Sequence, residues 1–216
     1  MPTYPGDPPV SLSAVATVEV DGYRTSTLSM GTHAGTHVDA PAHTEPDGRT
    51  LDEFPVSTFQ FEALRLDVSG MAPRSSIEQA ALREAIAPVD FQSTDGVNLV
   101  VLHTGWEQYW KREEYNDHPF LSADAAAWLT ANDFHVGIDA PSVDPTPSPN
   151  AQPDEPDGFP VHHELLGSGQ LIVENLCNLS ALPDNFALHA YPLALSDADA
   201  APVRAVAVSE SDGVHG

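Results

Sequence analysis

The chain is short of cationic side chains and of cysteine. Against 32 aspartates and glutamates it has only 8 lysines and arginines, Lys111 being the one lysine, for a formal net charge of −24. A field of that sign repels nucleic acid and anionic membrane, so neither is expected as a partner. The single cysteine, Cys177, excludes an intrachain disulfide; between Leu176 and Asn178 in an apolar-rich segment it reads as a small buried hydrophobe. Apolar runs such as Leu99 to Leu102 fall far short of the roughly 20 residues a membrane span needs. The opening residues, Met1-Pro2-Thr3-Tyr4-Pro5-Gly6-Asp7, lack the basic segment and apolar run of a secretory signal, so the cytoplasm is the expected location.

What is present supports one compact domain spanning residues 1–216, long enough to bury a real core. The acidic residues are scattered, with no block of five or six, which points to a solvated surface adapted to high salt rather than an acidic tail. At 1 M salt the Debye length falls to about 3 Å and self-repulsion is screened. The fold is therefore expected to loosen in dilute buffer.

No internal repeat is visible. Ser75-Ser76-Ile77-Glu78 has the form of a capping box opening a helix that stops before Pro88, and Ser122 is placed to cap a second helix running to about Asn132. Phe59 to Val68, Val97 to Leu102, His135 to Ile138, Leu171 to Glu174 and Val203 to Val208 read as strands, several of them apolar enough to be buried on both faces. Strands alternating with helices imply an α/β fold with a mixed sheet. The proline-rich stretch from Asp144 to Pro160 can be neither helix nor central strand, and it lies between the strand ending near Asp139 and a His/Glu segment. It is expected to be an ordered loop beside a site.

The most informative stretch runs from His33 to His43. His33, His37, Asp39 and His43 all occupy odd positions, so in extended chain their side chains project to one face. Gly35, Thr36, Val38 and Pro41 oppose a helix here. Straight extension would hold His33 and His37 about 13 Å apart, so Gly35 is the expected bend that lets both imidazoles reach one ion. Imidazole and carboxylate suit Zn²⁺ or Mn²⁺, and three protein ligands leave a position open for water, as a catalytic site requires. Ordinary surface histidines would not concentrate in this way among the ten of the chain. His103, His118, His135, His189 and His215 have no such setting and are expected to be structural or exposed.

A second cluster begins at His162-His163-Glu164. On a short helix His162 shares a face with Leu165 and Leu166 and turns inward, whereas His163 turns outward. On the strand that follows, Glu174 shares a face with Ile172 and Leu176, where a carboxylate needs an ion or a hydrogen-bond partner to offset its desolvation.

The segment H-x-G-T-H-x-D-A-P-x-H from His33 to His43, together with Tyr4-Pro5-Gly6-Asp7, Thr104-Gly105-Trp106, Gly137-Ile138-Asp139-Ala140-Pro141-Ser142 and the His162…Glu174-Asn175-Leu176 pattern, resembles the metal-dependent cyclase family. That family includes bacterial-type kynurenine formamidase and isatin hydrolase. The resemblance covers nearly all of the chain and implies a swivelling β/β/α fold, with a mixed central sheet or barrel and flanking helices, in a homodimer or homotetramer. It implies that His33, His37 and Asp39 hold one metal, that Asp39 and Glu174 bridge to a second completed by His162, and that His43 is the catalytic acid/base. Tyr4 matches an aromatic position that packs on the substrate ring, often tryptophan in the formamidases. Two Zn²⁺ ions, with Mn²⁺ as the other candidate, would activate water for attack on a small amide, N-formyl-L-kynurenine foremost. An isatin-hydrolase-like lactamase, a hydrolase of another cyclic or N-acyl substrate, and an inactive metal-binding protein stay open. Family chains usually have an initial strand before the segment matching Met1, so a late start is also expected.

Overall fold

The computed structural model describes residues 3–87 and 96–209; Pro88 and His215 lie outside them. In chain order, β1 (Ser11–Ala16), the single turn α1 (Val18–Asp21) and β2 (Thr25–Ser29) form a two-stranded antiparallel unit of their own. The main sheet begins with β3 (His37–Asp39) and β4 (Gln60–Asp67). Then come β5 (Ser76–Ile77), α2 (Gln79–Ile86), β6 (Leu99–His103), β7 (Phe120–Leu121), α3 (Ala123–Ala131) and β8 (His135–Ile138). The last elements are α4 (Pro160–Gly167), β9 (Ile172–Glu174), β10 (Asn185–His189), β11 (Ala200–Pro202) and β12 (Val206–Val208).

Eight strands make one mixed, curled sheet in the order β11-β3-β9-β8-β6-β4-β10-β12. The four inner strands β9, β8, β6 and β4 run parallel, and antiparallel strands extend both ends. Parallel neighbours need crossover connections, and α2, α3 and α4 supply them. β6 shows why its sequence is apolar throughout. Val100 and Leu102 join Leu64, Leu66, Val136 and Ile138 beneath the helices, while Leu99 and Val101 pack with Phe61, Val173 and Phe186 on the opposite face. Strands buried on both faces read as continuous apolar runs, as expected for this fold class.

Ser122 caps α3 by accepting a hydrogen bond from the Ala125 amide. The capping box expected at Ser75–Glu78 does not form. Ser76 and Ile77 instead pair in parallel with Phe120 and Leu121, the Ser75 hydroxyl donates to the Ala72 carbonyl, and the helix opens at Gln79. Ile77 is fully buried by that pairing, and burying a large aliphatic side chain outweighs a local cap. Val203 to Val208 shortens to β12; Val203 lies outside it, bridging Pro192 and donating its amide to the Thr36 carbonyl. Cys177 corrects the sequence reading as well: it is exposed, because it follows the buried Leu176 just past the end of β9. The proline-rich loop is held by Arg74, whose guanidinium donates to both Glu155 carboxylate oxygens and to the Thr146 and Asn116 carbonyls. No described helix is long and apolar enough to cross a membrane.

Candidate functional site

The His33–His43 segment bends where the sequence places the bend. Gly35 has φ +71°, a left-handed conformation that glycine adopts without a Cβ penalty. Thr36 then ties the chain down, its hydroxyl donating to the Asn175 carbonyl at 2.7 Å. The rings of His33 and His37 consequently meet edge to face, with centroids 5.1 Å apart. After β3, the chain turns through Pro41–His43 in a single 3₁₀ turn. Gly48 closes against that turn so tightly that a Cβ there would lie 2.4 Å from the Pro41 carbonyl carbon. His43 is thereby set beside His33, their ring centroids 4.0 Å apart.

Pairing then brings in the distant donors. β3 lies antiparallel to β9 with His37 opposite Glu174, and α4 delivers His162, whose Nε2 lies 3.4 Å from Glu174 Oε1. His33 Nδ1 is 2.8 Å and His37 Nε2 3.2 Å from Asp39 Oδ1, and His37 Nε2 is 3.5 Å from Glu174 Oε2. His33, His37 and Asp39 form one group with ligand atoms close enough to share an ion; Asp39, His162 and Glu174 form a second. His163 turns outward, as expected, and pairs with Glu45. Tyr4 lines the cavity in front of these groups.

Whether this donor set fits a metal can be judged from its unsatisfied atoms. His37 Nε2, Asp39 Oδ1 and Asp39 Oδ2 are buried with no aligned hydrogen-bond partner. Burying a carboxylate without a partner is costly, and these atoms converge where a cation would satisfy them all. The outer partners agree. His37 Nδ1–H donates to the Gly35 carbonyl at 2.8 Å and His162 Nδ1–H to Asp144 Oδ2 at 2.7 Å, so each ring turns Nε2 to the cluster. Metal-ligating histidines are oriented in this way.

The electrostatics follow from burial set against carboxylates. Burial alone would push His33 and His162 down. Asp199 and Asp39 at His33, and Asp144 and Glu174 at His162, outweigh it and raise each to about 10. His37 is raised despite complete burial, chiefly by Asp39, whose own carboxyl is held well below the usual range by His37 and His33. Protons and a cation therefore compete for the same lone pairs, and binding the ion would release protons.

Three contributors escaped the sequence reading. Asp144, at the head of the proline-rich loop, accepts the Val161 and His162 amides as well as the His162 ring, so it fixes the start of α4. Asp199, just before β11, contacts both His33 and His43. Phe159 stands at the cavity with φ +59° immediately before Pro160, 45% exposed, its ring 6.4 Å from Tyr4. Left-handed backbone on a bulky residue is strained, and such strain clusters at functional sites. The Tyr4 hydroxyl is buried without a partner, and the group is pushed up to about 12 by burial and by Glu174 and Asp144. The cavity measures about 270 Å³.

A curled mixed sheet with helical crossovers, carrying a buried His/Asp/Glu cluster compatible with divalent metal, defines the class. The chain belongs to the cyclase family: the family model described as "Putative cyclase" matches residues 1–145. A kynurenine formamidase from Bacillus cereus is 34% identical over 209 residues, covering 94% of this chain and 90% of the relative. One from Bacillus mycoides is 33% identical with the same coverage. Among solved structures, an isatin hydrolase bound to the product analogue thioisatinate superposes with a TM-score of 0.80 at 22% identity, over 94% of this chain and 82% of that one. A "predicted metal-dependent hydrolase from Bacillus stearothermophilus" gives 0.70 at 26% identity, over 96% and 91%.

Proposed function

We propose that the chain is a metal-dependent hydrolase of C–N bonds outside peptides, with N-formyl-L-kynurenine as substrate and L-kynurenine and formate as products. The observation that carries this reading is the set of buried, unsatisfied donor atoms on His37 and Asp39, beside a cavity that His33, His37, His162 and Glu174 line. The kynurenine formamidases to which the chain is similar across nearly its whole length support the substrate. His33, His37 and Asp39 would hold one ion, and Asp39, His162 and Glu174 a second. We take both to be Zn²⁺, with Mn²⁺ as the other candidate. When bound, the ions supply Lewis acidity, acidifying water and polarising the scissile carbonyl.

The remaining work falls to the chain's own side chains. His43 delivers a proton to the departing aryl amine, a role open to an imidazole that lines the cavity. Tyr4 and Phe159 bracket the aromatic ring, and the Tyr4 hydroxyl, neutral and unsatisfied, is available to a substrate carbonyl. Asp39 and Glu174, buried on facing strands, set the negative charge that holds the cations in place. The fold likeness to isatin hydrolase keeps lactam opening as the second reading.

Protein loaded with Zn²⁺ or Mn²⁺ in molar KCl should hydrolyse N-formylkynurenine at least about tenfold faster, in kcat/KM, than isatin or simple aryl formamides. Preference for isatin would move the assignment to the lactamase. Metal-loaded protein with no turnover on any of them would end the hydrolase reading. We also place the enzyme in the cytoplasm of a high-salt cell and in an oligomer of its own copies. The exposed Leu12, Val15, Val20 and Leu28 of the β1–β2 unit are apolar surface that a second copy would cover, and light scattering in molar KCl tests the oligomer.

A further inference from the structure

The Asp199 carboxylate lies between two imidazoles with different expected duties. Its Oδ2 is 2.9 Å from His33 Nε2 and 3.3 Å from His43 Nδ1. An ionised carboxylate only accepts, so each ring nitrogen facing it carries a proton. In the neutral rings that leaves one lone pair apiece, on His33 Nδ1 and on His43 Nε2. His33 Nδ1 is the atom 2.8 Å from Asp39 Oδ1, within the buried donor set, and His43 lines the cavity. One carboxylate oxygen thus selects the tautomer that suits a ligand at one ring and the tautomer that suits proton exchange at the other.

We propose that Asp199 is a positioning residue that fixes His33 and His43 together, orienting the first toward the metal and the second toward substrate. The proposal rests on the roles given to those histidines above. His33, His43 and Asp199 could also be taken as ligands of a further ion. That arrangement would require His33 to bind cations through both nitrogens, as an imidazolate, whereas a hydrogen-bonded carboxylate asks only for the neutral ring. Backbone pairing holds Asp199 independently of its side chain. The Asp199 carbonyl accepts the Ala40 amide at 2.8 Å, the Ala198 carbonyl accepts the Leu51 amide at 2.9 Å, and Ala200 sits opposite Asp39 in the β11–β3 ladder. Removing the carboxylate should therefore leave the register intact.

The test uses Zn²⁺-loaded full-length protein labelled with ¹⁵N-histidine, as wild type, Asp199→Asn and Asp199→Ala. Long-range ¹H–¹⁵N spectra should show His43 as the Nδ1–H tautomer in wild type and a shift toward Nε2–H in Asp199→Ala, with no substrate present. Bound zinc per chain should equal wild type, while zinc leaves about 10–100-fold more readily. Turnover should fall about 10–100-fold in kcat with KM changed less than about threefold. Asp199→Asn, which can still accept from one ring, should fall between the two. Loss of one zinc equivalent in Asp199→Ala would make Asp199 a ligand and overturn the proposal, as would unchanged tautomers with unchanged kcat. If wild type turns over none of the substrates, the tautomer and zinc measurements still decide the matter, so failure of the functional reading is told apart from failure of this one.

Discussion

His162 and His118 are both deeply buried, yet they are driven in opposite directions. Burial pushes His118 down to about 4; its ring donates to the Pro119 carbonyl and accepts from the Thr146 hydroxyl, partners suited to a neutral imidazole. His135 is likewise pushed to about 4, accepting the Leu171 amide at Nδ1 with the edge of Phe61 against it. At His162 the same burial is overcome by Asp144 and Glu174. The difference teaches what separates a structural histidine from a candidate ligand in this fold: the number of carboxylates buried with it matters more than depth.

The largest test of that contrast removes a carboxylate. Asp39→Ala should abolish bound metal and bring turnover to background, since Asp39 belongs to both donor groups; metal analysis and an N-formylkynurenine assay check it, and retained metal would erase the distinction drawn here. His43→Ala should lower kcat by about 10²–10⁴ with metal content unchanged.

On the structural side, His118 and His135 should make the fold acid-labile. Their folded values lie below the ordinary 6.5, so the unfolded chain binds more protons between pH 6.5 and about 4. The stability these two histidines contribute is complete above that window and falls as pH drops through it, by on the order of 3 kcal/mol for each. Urea unfolding of wild type and His118→Asn across the window measures the slope, which should be shallower in the variant. Phe159→Ala should raise KM about tenfold with kcat little changed, read from saturation curves. The smallest effect expected is a rise of several degrees in melting temperature between dilute buffer and molar KCl, as screening relieves a net charge of −24.

How much of this was legible before the fold depended on distance along the chain. His33, His37, Asp39 and His43 announced themselves because their spacing and the Gly35 bend are local facts, and the two-faced burial of β6 follows from its own residues. Glu174 and His162 needed only a carboxylate and an imidazole on otherwise apolar faces. Asp199 gave no such signal. It sits in Asp197-Ala198-Asp199 within an acid-rich chain, and only the β11–β3 pairing tells it from its neighbour. Asp144 is marked out solely by where α4 begins. The Ser75 capping signal misled because Ile77 finds a strand partner far along the chain, and Cys177 because a position beside a buried leucine need not share its face.

The place of β3 in the sheet has a consequence for biosynthesis. Its neighbours are β9 and β11, so the earliest strand of the main sheet waits longest along the chain for its partners. A nascent chain carrying His33, His37 and Asp39 must wait for nearly all of the polypeptide before it can enclose an ion. At the proposed metal site, cation capture would therefore report the completion of folding rather than initiate it.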